Sequence, residues 1–167
     1  MKRSIMVSAT SVLLCAAILS GIAWCLMGFP WNRLWITVLT GWTEFHARCF
    51  KFISERKNWA GSEKICQNIG GNLASVHSED EFTFIRELVK QHDSSEPGFW
   101  MGLSDRNQDG TWLWSDGSRV DFTLWNPGEP TNVGQKDGVQ GNYRKTKGWN
   151  DLGNHWRLAS VCVLRHC

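Results

Sequence analysis

The side chains best suited to chemistry in this 167-residue chain gather in its final third. A Trp149-Asn150-Asp151 tripeptide follows a Glu129-Pro130 step, and Thr131, Asn132, Lys136 and Asp137 lie between them. Two roles are open to the tripeptide. In one, Trp149 fills core space while Asn150 and Asp151 hydrogen-bond loop backbone, as buried polar groups must. In the other, the polar pair serves a bound ligand. Upstream, Asp105-x-x-x-Asp109 followed by Gly110 reads as a polar turn. Arg144-Lys145-Thr146-Lys147, together with Lys136, makes the same region basic. Such a run is either a solvated face or a contact for an acidic partner, such as a sulfated or sialylated glycan or an anionic protein surface.

Other chemistries find no support. His46, His77, His92, His155 and His166 lack metal-ligand spacing. There is no Gly-x-Ser-x-Gly elbow, phosphate-binding glycine loop or His-Glu-x-x-His helix, and no carboxylate pair stands out as an acid–base couple. The chain therefore does not read as an enzyme. A net charge of +2 is too small to argue for nucleic acid. Eleven tryptophans against one tyrosine suggest a tryptophan-rich core, or else an aromatic ligand platform.

The elements that must position these residues are legible in outline. Residues 45–53 read as a strand, with Phe50 and Phe52 alternating. A first helix is expected over residues 57–69, stopped by Gly70-Gly71. A second begins at a Ser78/Glu81 capping box and carries Phe82, Ile85, Leu88 and Val89 as its apolar stripe, ending before Gln91. Residues 99–103 suit a short buried strand and residues 160–165 a final one. Residues 126–147 read as a long structureless loop, of the kind that is usually functional. Helices first, then short strands and turns, define an α+β fold class.

Residues 4–32 carry no charge and follow Lys2-Arg3. The apolar core around Leu13-Leu14 and the Gly21-Ile22-Ala23 step read as a secretory signal peptide over residues 1–23. The alternative is a membrane anchor over residues 5–29 of a type II single-pass protein. Residues 24–40 are unassigned, and the domain proper spans residues 41–167. Either leader delivers it to an oxidising compartment, where disulfides persist. Cys15 and Cys25 lie in the apolar leader, and Cys49, Cys66, Cys162 and Cys167 in the domain.

The order Cys66, Trp100-Met101-Gly102-Leu103, Gly128-Glu129-Pro130-Thr131, Trp149-Asn150-Asp151, Cys162 resembles the C-type lectin-like domain. It is similar above all to fish secreted lectins of the ladderlectin and nattectin kind and to type II antifreeze proteins. The resemblance implies two helices, small antiparallel sheets and a long ligand-binding loop, opened by a cis bond at Glu129-Pro130. It implies a Cys66–Cys162 disulfide. It also marks Gly138 and Asn154 as the positions of a second, inner bridge that this chain lacks. Cys49 and Cys167 lack their usual partners and are left to pair with each other or to link two chains in a dimer.

The same resemblance implies a calcium ion, a hard cation that needs oxygen donors. Its primary ligands would be Glu129, Asn150 and Asp151, shared with sugar hydroxyls. Thr131 stands where an Asn ligand is expected, and Lys136 where a carboxylate is expected; an ammonium there repels a cation. Asp137 could substitute for that carboxylate if the loop shifts by one residue. An auxiliary calcium set would be Asp105, Asp109, Asp137 and Asn132. The function implied is a secreted, extracellular lectin that binds glycans or glycoproteins, with weakened calcium dependence. The alternatives are a calcium-independent module for a protein or anionic surface, and an ice-binding protein.

Overall fold

The chain reverses at once after entering the domain. In the computed structural model, which describes residues 40–132, 134 and 136–167, Thr43–Phe45 (β1) turns at His46 and Ala47 into Arg48–Lys57 (β2). Phe45 faces Arg48 across a two-residue loop whose φ angles are 47° and 63°. Positive φ at both central positions gives the turn a twist that matches the strands. Residues 45–53 are thus a hairpin and not the single strand expected, because neither His46 nor Ala47 announces a left-handed turn.

Both helices form where the sequence places them. Trp59–Asn68 (α1) starts at Asn58, whose Oδ1 accepts the Gly61 N–H at 3.0 Å. It ends with Gly70 N–H donating to Gln67 O and Gly71 N–H to Cys66 O, with Gly70 at φ 91°. That pairing satisfies the last carbonyls of the helix and needs the conformational freedom of a glycine. After the short Asn72–Leu73 strand (β3) comes Glu79–His92 (α2), capped by Ser78 Oγ on the Glu81 N–H. The Glu81 carboxylate reaches back one residue further than the expected box, to the His77 N–H at 2.8 Å.

Phe99–Ser104 (β4), Leu113–Trp114 (β5), Gly138–Tyr143 (β6), Gly148–Leu152 (β7) and Leu158–Leu164 (β8) complete the described elements. The sheet runs β1-β2-β8-β4-β6-β7, with β3 on β8 and β5 on β4. The β4–β8 pairing is parallel and the others are antiparallel. The fold is α+β, as expected. The expected loop over residues 126–147 is shortened, because β6 lies inside it. Glycines hid that strand. A Cβ on Gly141 would lie 2.7 Å from Phe99 Cζ, and one on Gly138 2.6 Å from Trp59 Cδ1. Gly138 is also where the missing inner bridge would begin, and its backbone is pressed too close to Trp59 for any side chain.

Most described tryptophans serve the core. Trp149 is fully buried on β7, with the rings of Phe82, Trp114, Phe122 and Trp125 edge-on at centroid distances of 5.7–5.9 Å. Such edge-to-face contacts add to burial by about 0.5–1.5 kcal/mol each. Trp156 is the exposed exception, at 51%.

Two disulfides lock the ends. Cys66 bonds Cys162, as expected, across a sequence separation of 96, and Cys49 bonds Cys167 across 118. Of the two fates left open for Cys49 and Cys167, the structure has the bridge within one chain, with their Cα atoms 5.4 Å apart. The signal peptide expected over residues 1–23, the alternative anchor over residues 5–29 and the unassigned stretch short of Thr40 lie outside the described residues. Among the described residues no helix is long and apolar enough to cross a membrane.

A polar knot closes the hairpin onto α2. Arg48 pairs with Glu81, donates to Ser75 Oγ at 2.5 Å and lies 3.9 Å from Asp116. Burial pushes the Asp116 carboxyl up, but hydrogen bonds from Ser118 and Ser75 and the charge of Arg48 outweigh it and hold it below the ordinary value. A depressed carboxyl contributes stability that is present above the unfolded-state pKa of about 3.9 and lost as pH falls through the lower folded value. Denaturation midpoints followed below pH 5 should therefore fall more steeply in the native protein than in Asp116→Asn; equal slopes would contradict this. Replacing Cys66 and Cys162 together by Ala should lower stability by about 2–5 kcal/mol. Non-reducing peptide mapping should find both bridges within a single chain.

Candidate functional site

The Glu129–Pro130 bond is cis, and the turn that holds it hangs from β7. Trp149 N–H donates to Leu124 O, Asn126 N–H to Trp149 O, and Glu129 N–H to Asn126 O, at 2.8–3.0 Å. The buried Asn126 side chain ties down the other flank, donating to Tyr143 O at 2.9 Å and accepting from Thr146. These contacts bring the loop over Asn150 and Asp151, which are 3% and 0% exposed.

Asp151 is the centre of the cluster. Its Oδ1 accepts the Thr131 N–H at 3.1 Å and its Oδ2 the Asn132 N–H at 2.7 Å. The Thr131 hydroxyl lies 3.2 and 3.3 Å from the two oxygens. Lys136 completes the ring, with Nζ 2.5 Å from Thr131 Oγ1 and 3.4 Å from Asp151 Oδ1. Burial opposes the Asp151 charge, but the two backbone N–H groups, Glu129 and Lys136 outweigh it and hold its carboxyl below the ordinary value. Glu129 goes the other way: burial, contact with Asp151 and the Asp151 charge raise its carboxyl, against the pull of Lys136 and Arg144. Its Oε2 is buried with no hydrogen-bond partner. Glu129, Thr131, Lys136 and Asp151 thus converge, and Asn150 adjoins them on β7.

The second predicted set also lies in one neighbourhood. Asp105 is 5% exposed and its Oδ2 accepts the Gly110 N–H at 2.9 Å. Burial raises its carboxyl, the Gly110 N–H partly offsets this, and the charges of Asp109 and Asp137 raise it further. Asn132 Nδ2 lies 3.9 Å from where a Cβ on Gly110 would be.

These oxygens suit a hard cation in type. Their arrangement is another matter. Among the described residues, no three His, Cys, Asp or Glu side chains converge closely enough to hold a metal ion. At Asp151 the carboxylate is already satisfied by two backbone N–H groups and an ammonium, so the primary set does not fit a divalent ion while Lys136 lies where it does.

Two features escaped the sequence. Arg144 lies near enough to Glu129 for its charge to be felt, which no spacing rule indicates. An Asp121–His77–Ser75 line has the outline of a catalytic triad, with His77 Nδ1 2.7 Å from Asp121 and Nε2 3.3 Å from Ser75 Oγ. Ser75 is fully buried, however, and its hydroxyl donates to Asp116 at 2.7 Å, so it presents no nucleophile. A hollow of about 550 Å³ lined by Trp59, Arg106, Leu113 and Trp114 includes none of the loop residues.

Two helices, a sheet closed by a Cys66–Cys162 bridge and a loop folded onto a Trp-Asn-Asp strand define a lectin-type binding domain. The chain belongs to the C-type lectin domain family, whose profile matches residues 55–164. It is similar to lactose-binding lectin l-2 of Anguilla japonica, 42% identical over 157 residues that cover 91% of this chain and 93% of that protein. It is 40% identical to ladderlectin of Oncorhynchus mykiss over 68% of this chain and 60% of the relative. Among solved structures, a herring type II antifreeze protein superposes with a TM-score of 0.71 at 31% identity, over 75% of this chain and 97% of that one. The family's domains are not enzymes, and calcium is the ion they generally take.

Replacing Asp151 by Ala strands the Thr131 and Asn132 N–H groups. Stability should fall by about 1–3 kcal/mol. Amide hydrogen exchange should accelerate at residues 131 and 132 with little change in β2 or α2; a uniform change across the domain would argue against a local role.

Proposed function

We propose that the protein is an extracellular carbohydrate-binding lectin, and that its ligand face is formed by Glu129, Thr131, Lys136, Asn150 and Asp151. The observation that carries this reading is the convergence of Glu129, Thr131, Lys136 and Asp151 on one loop–strand junction, with Asn150 adjoining them on β7. The junction is held by core contacts beneath it and leaves the Lys136 side chain 29% exposed. Carboxylate, amide, hydroxyl and ammonium groups in one cluster offer both donors and acceptors, which is what sugar hydroxyls require. Similarity to a lectin whose name states that it binds lactose supports the same reading. The partners would be glycans or glycoproteins outside the cell.

The auxiliary calcium set of Asp105, Asp109, Asn132 and Asp137 is not part of this proposal, because among the described residues no three such carboxylates converge closely enough to hold an ion. A second reading has its own observation. Arg144 and Lys145 are exposed at the β6–β7 turn, so an anionic protein surface is the alternative partner.

Retention on immobilised lactose, mannose and N-acetylglucosamine tests the proposal. The native protein should be retained on at least one and released by free sugar. Asn150→Ala should weaken retention about tenfold, roughly the loss of one hydrogen bond to the ligand. Absence of retention on all three, with binding to a sulfated polymer, would favour the anionic-surface reading.

A further inference from the structure

Lys136 stands where the sequence resemblance calls for a metal-ligating carboxylate. The structure gives it a different part. Its ammonium lies within 3.4 Å of Asp151 Oδ1 and donates to Thr131 Oγ1, so the positive charge of this cluster comes from the protein itself. We propose that the Lys136 ammonium is a tethered cation that takes the place of calcium at the ligand face, so that saccharide binding there needs no metal. This rests on the lectin reading above.

Three observations carry it. First, the Asp151 carboxylate is fully buried and its charge is already neutralised, by Lys136 and by the N–H groups of Thr131 and Asn132. A divalent ion brought there would meet an ammonium at the same carboxylate, and the two cations repel. Second, Lys136 is not sealed in: its side chain is 29% exposed, whereas that of Asp151 is 0%. An ammonium has three donors, and Thr131 and Asp151 account for two, which leaves one for a ligand oxygen. Third, Glu129 stands beside the same carboxylate and is itself only half-buried, so it offers a ligand hydroxyl an acceptor next to the ammonium.

Together these specify the ligand. One sugar hydroxyl accepts from Lys136 Nζ, and a neighbouring hydroxyl donates to Glu129, so the class is a neutral saccharide with two adjacent free hydroxyls. In such a site the lysine both neutralises the buried aspartate and reads the sugar. A metal would do both by coordination, whereas this chain does them with hydrogen bonds alone.

The test is retention on immobilised lactose, mannose and N-acetylglucosamine in EDTA and in calcium, with near-ultraviolet circular dichroism to confirm folding. The native protein should bind equally in both buffers. Lys136→Met should lose at least about tenfold in affinity in EDTA. Lys136→Glu should lose binding in EDTA and regain it in calcium, because the substitution restores a carboxylate and removes the built-in charge. Lys145→Met, on the exposed turn, should bind as the native protein does. Native binding that is abolished by EDTA and restored by calcium overturns the inference and leaves the lectin reading standing. Full binding by Lys136→Met in EDTA also overturns it, as does an equal loss in Lys145→Met, which would mean a diffuse basic field. Failure of every variant to bind any of the three sugars in either buffer removes the lectin reading, and the inference with it.

Discussion

A single buried anion organises the functional end of this domain. Asp151 has no exposure to solvent, yet it keeps its charge because backbone N–H groups and an ammonium surround it. Isolated, that carboxylate would cost several kcal/mol to bury. Residues 129–132 and Lys136 are placed as they are because this is the arrangement in which the anion is satisfied. Pairing of Val139 with Asp151 and of Gln140 with Asn150 then fixes β6 beside it. The loop has no disulfide of its own, so the carboxylate does the stapling that a covalent bridge would otherwise do.

Beneath that end lies an aromatic core that gives the loop something rigid to fold against. Trp149 precedes the polar pair by one and two residues, and its ring is packed by four others. The tripeptide fills the first of the two roles left open for it, with Trp149 as core and Asp151 bonded to loop backbone. A second buried carboxylate, Glu63, plays a comparable part elsewhere. It accepts from Asn72, Leu73 N–H, Ser115 and Gln67, and so joins α1, β3 and the segment after β5.

How much of this was readable from the chain depended on how local the cause was. Asn58 and Ser78 caps, the Gly70 stop and the α2 stripe act within a few residues, and their helices were legible. The Cys66–Cys162 bridge was legible only through a resemblance to a family. The β1–β2 turn was not, since His46 and Ala47 carry no turn signature and take positive φ because the two strands on either side hold them there. β6 was missed for the opposite reason. Gly138 and Gly141 look like loop residues, but they are glycines because Trp59 and Phe99 lie against them, and those neighbours are remote in sequence. At the site, residue types marked the right neighbourhood. What they did not reveal was the direction of the Lys136 side chain: an alignment position suggested repulsion of an ion, whereas the folded loop turns the same charge inward onto Asp151.

The Cys49–Cys167 bridge has a mechanical meaning. Tension along the chain that arrives at residue 49 from one side and leaves from residue 167 on the other crosses two sulfur atoms and never reaches the span between them, a sequence separation of 118. The helices and the ligand loop lie in the bypassed span, β1 and its turn lie upstream of it, and Cys66–Cys162 forms a smaller ring inside. A domain wired this way can be pulled on while its binding face stays slack.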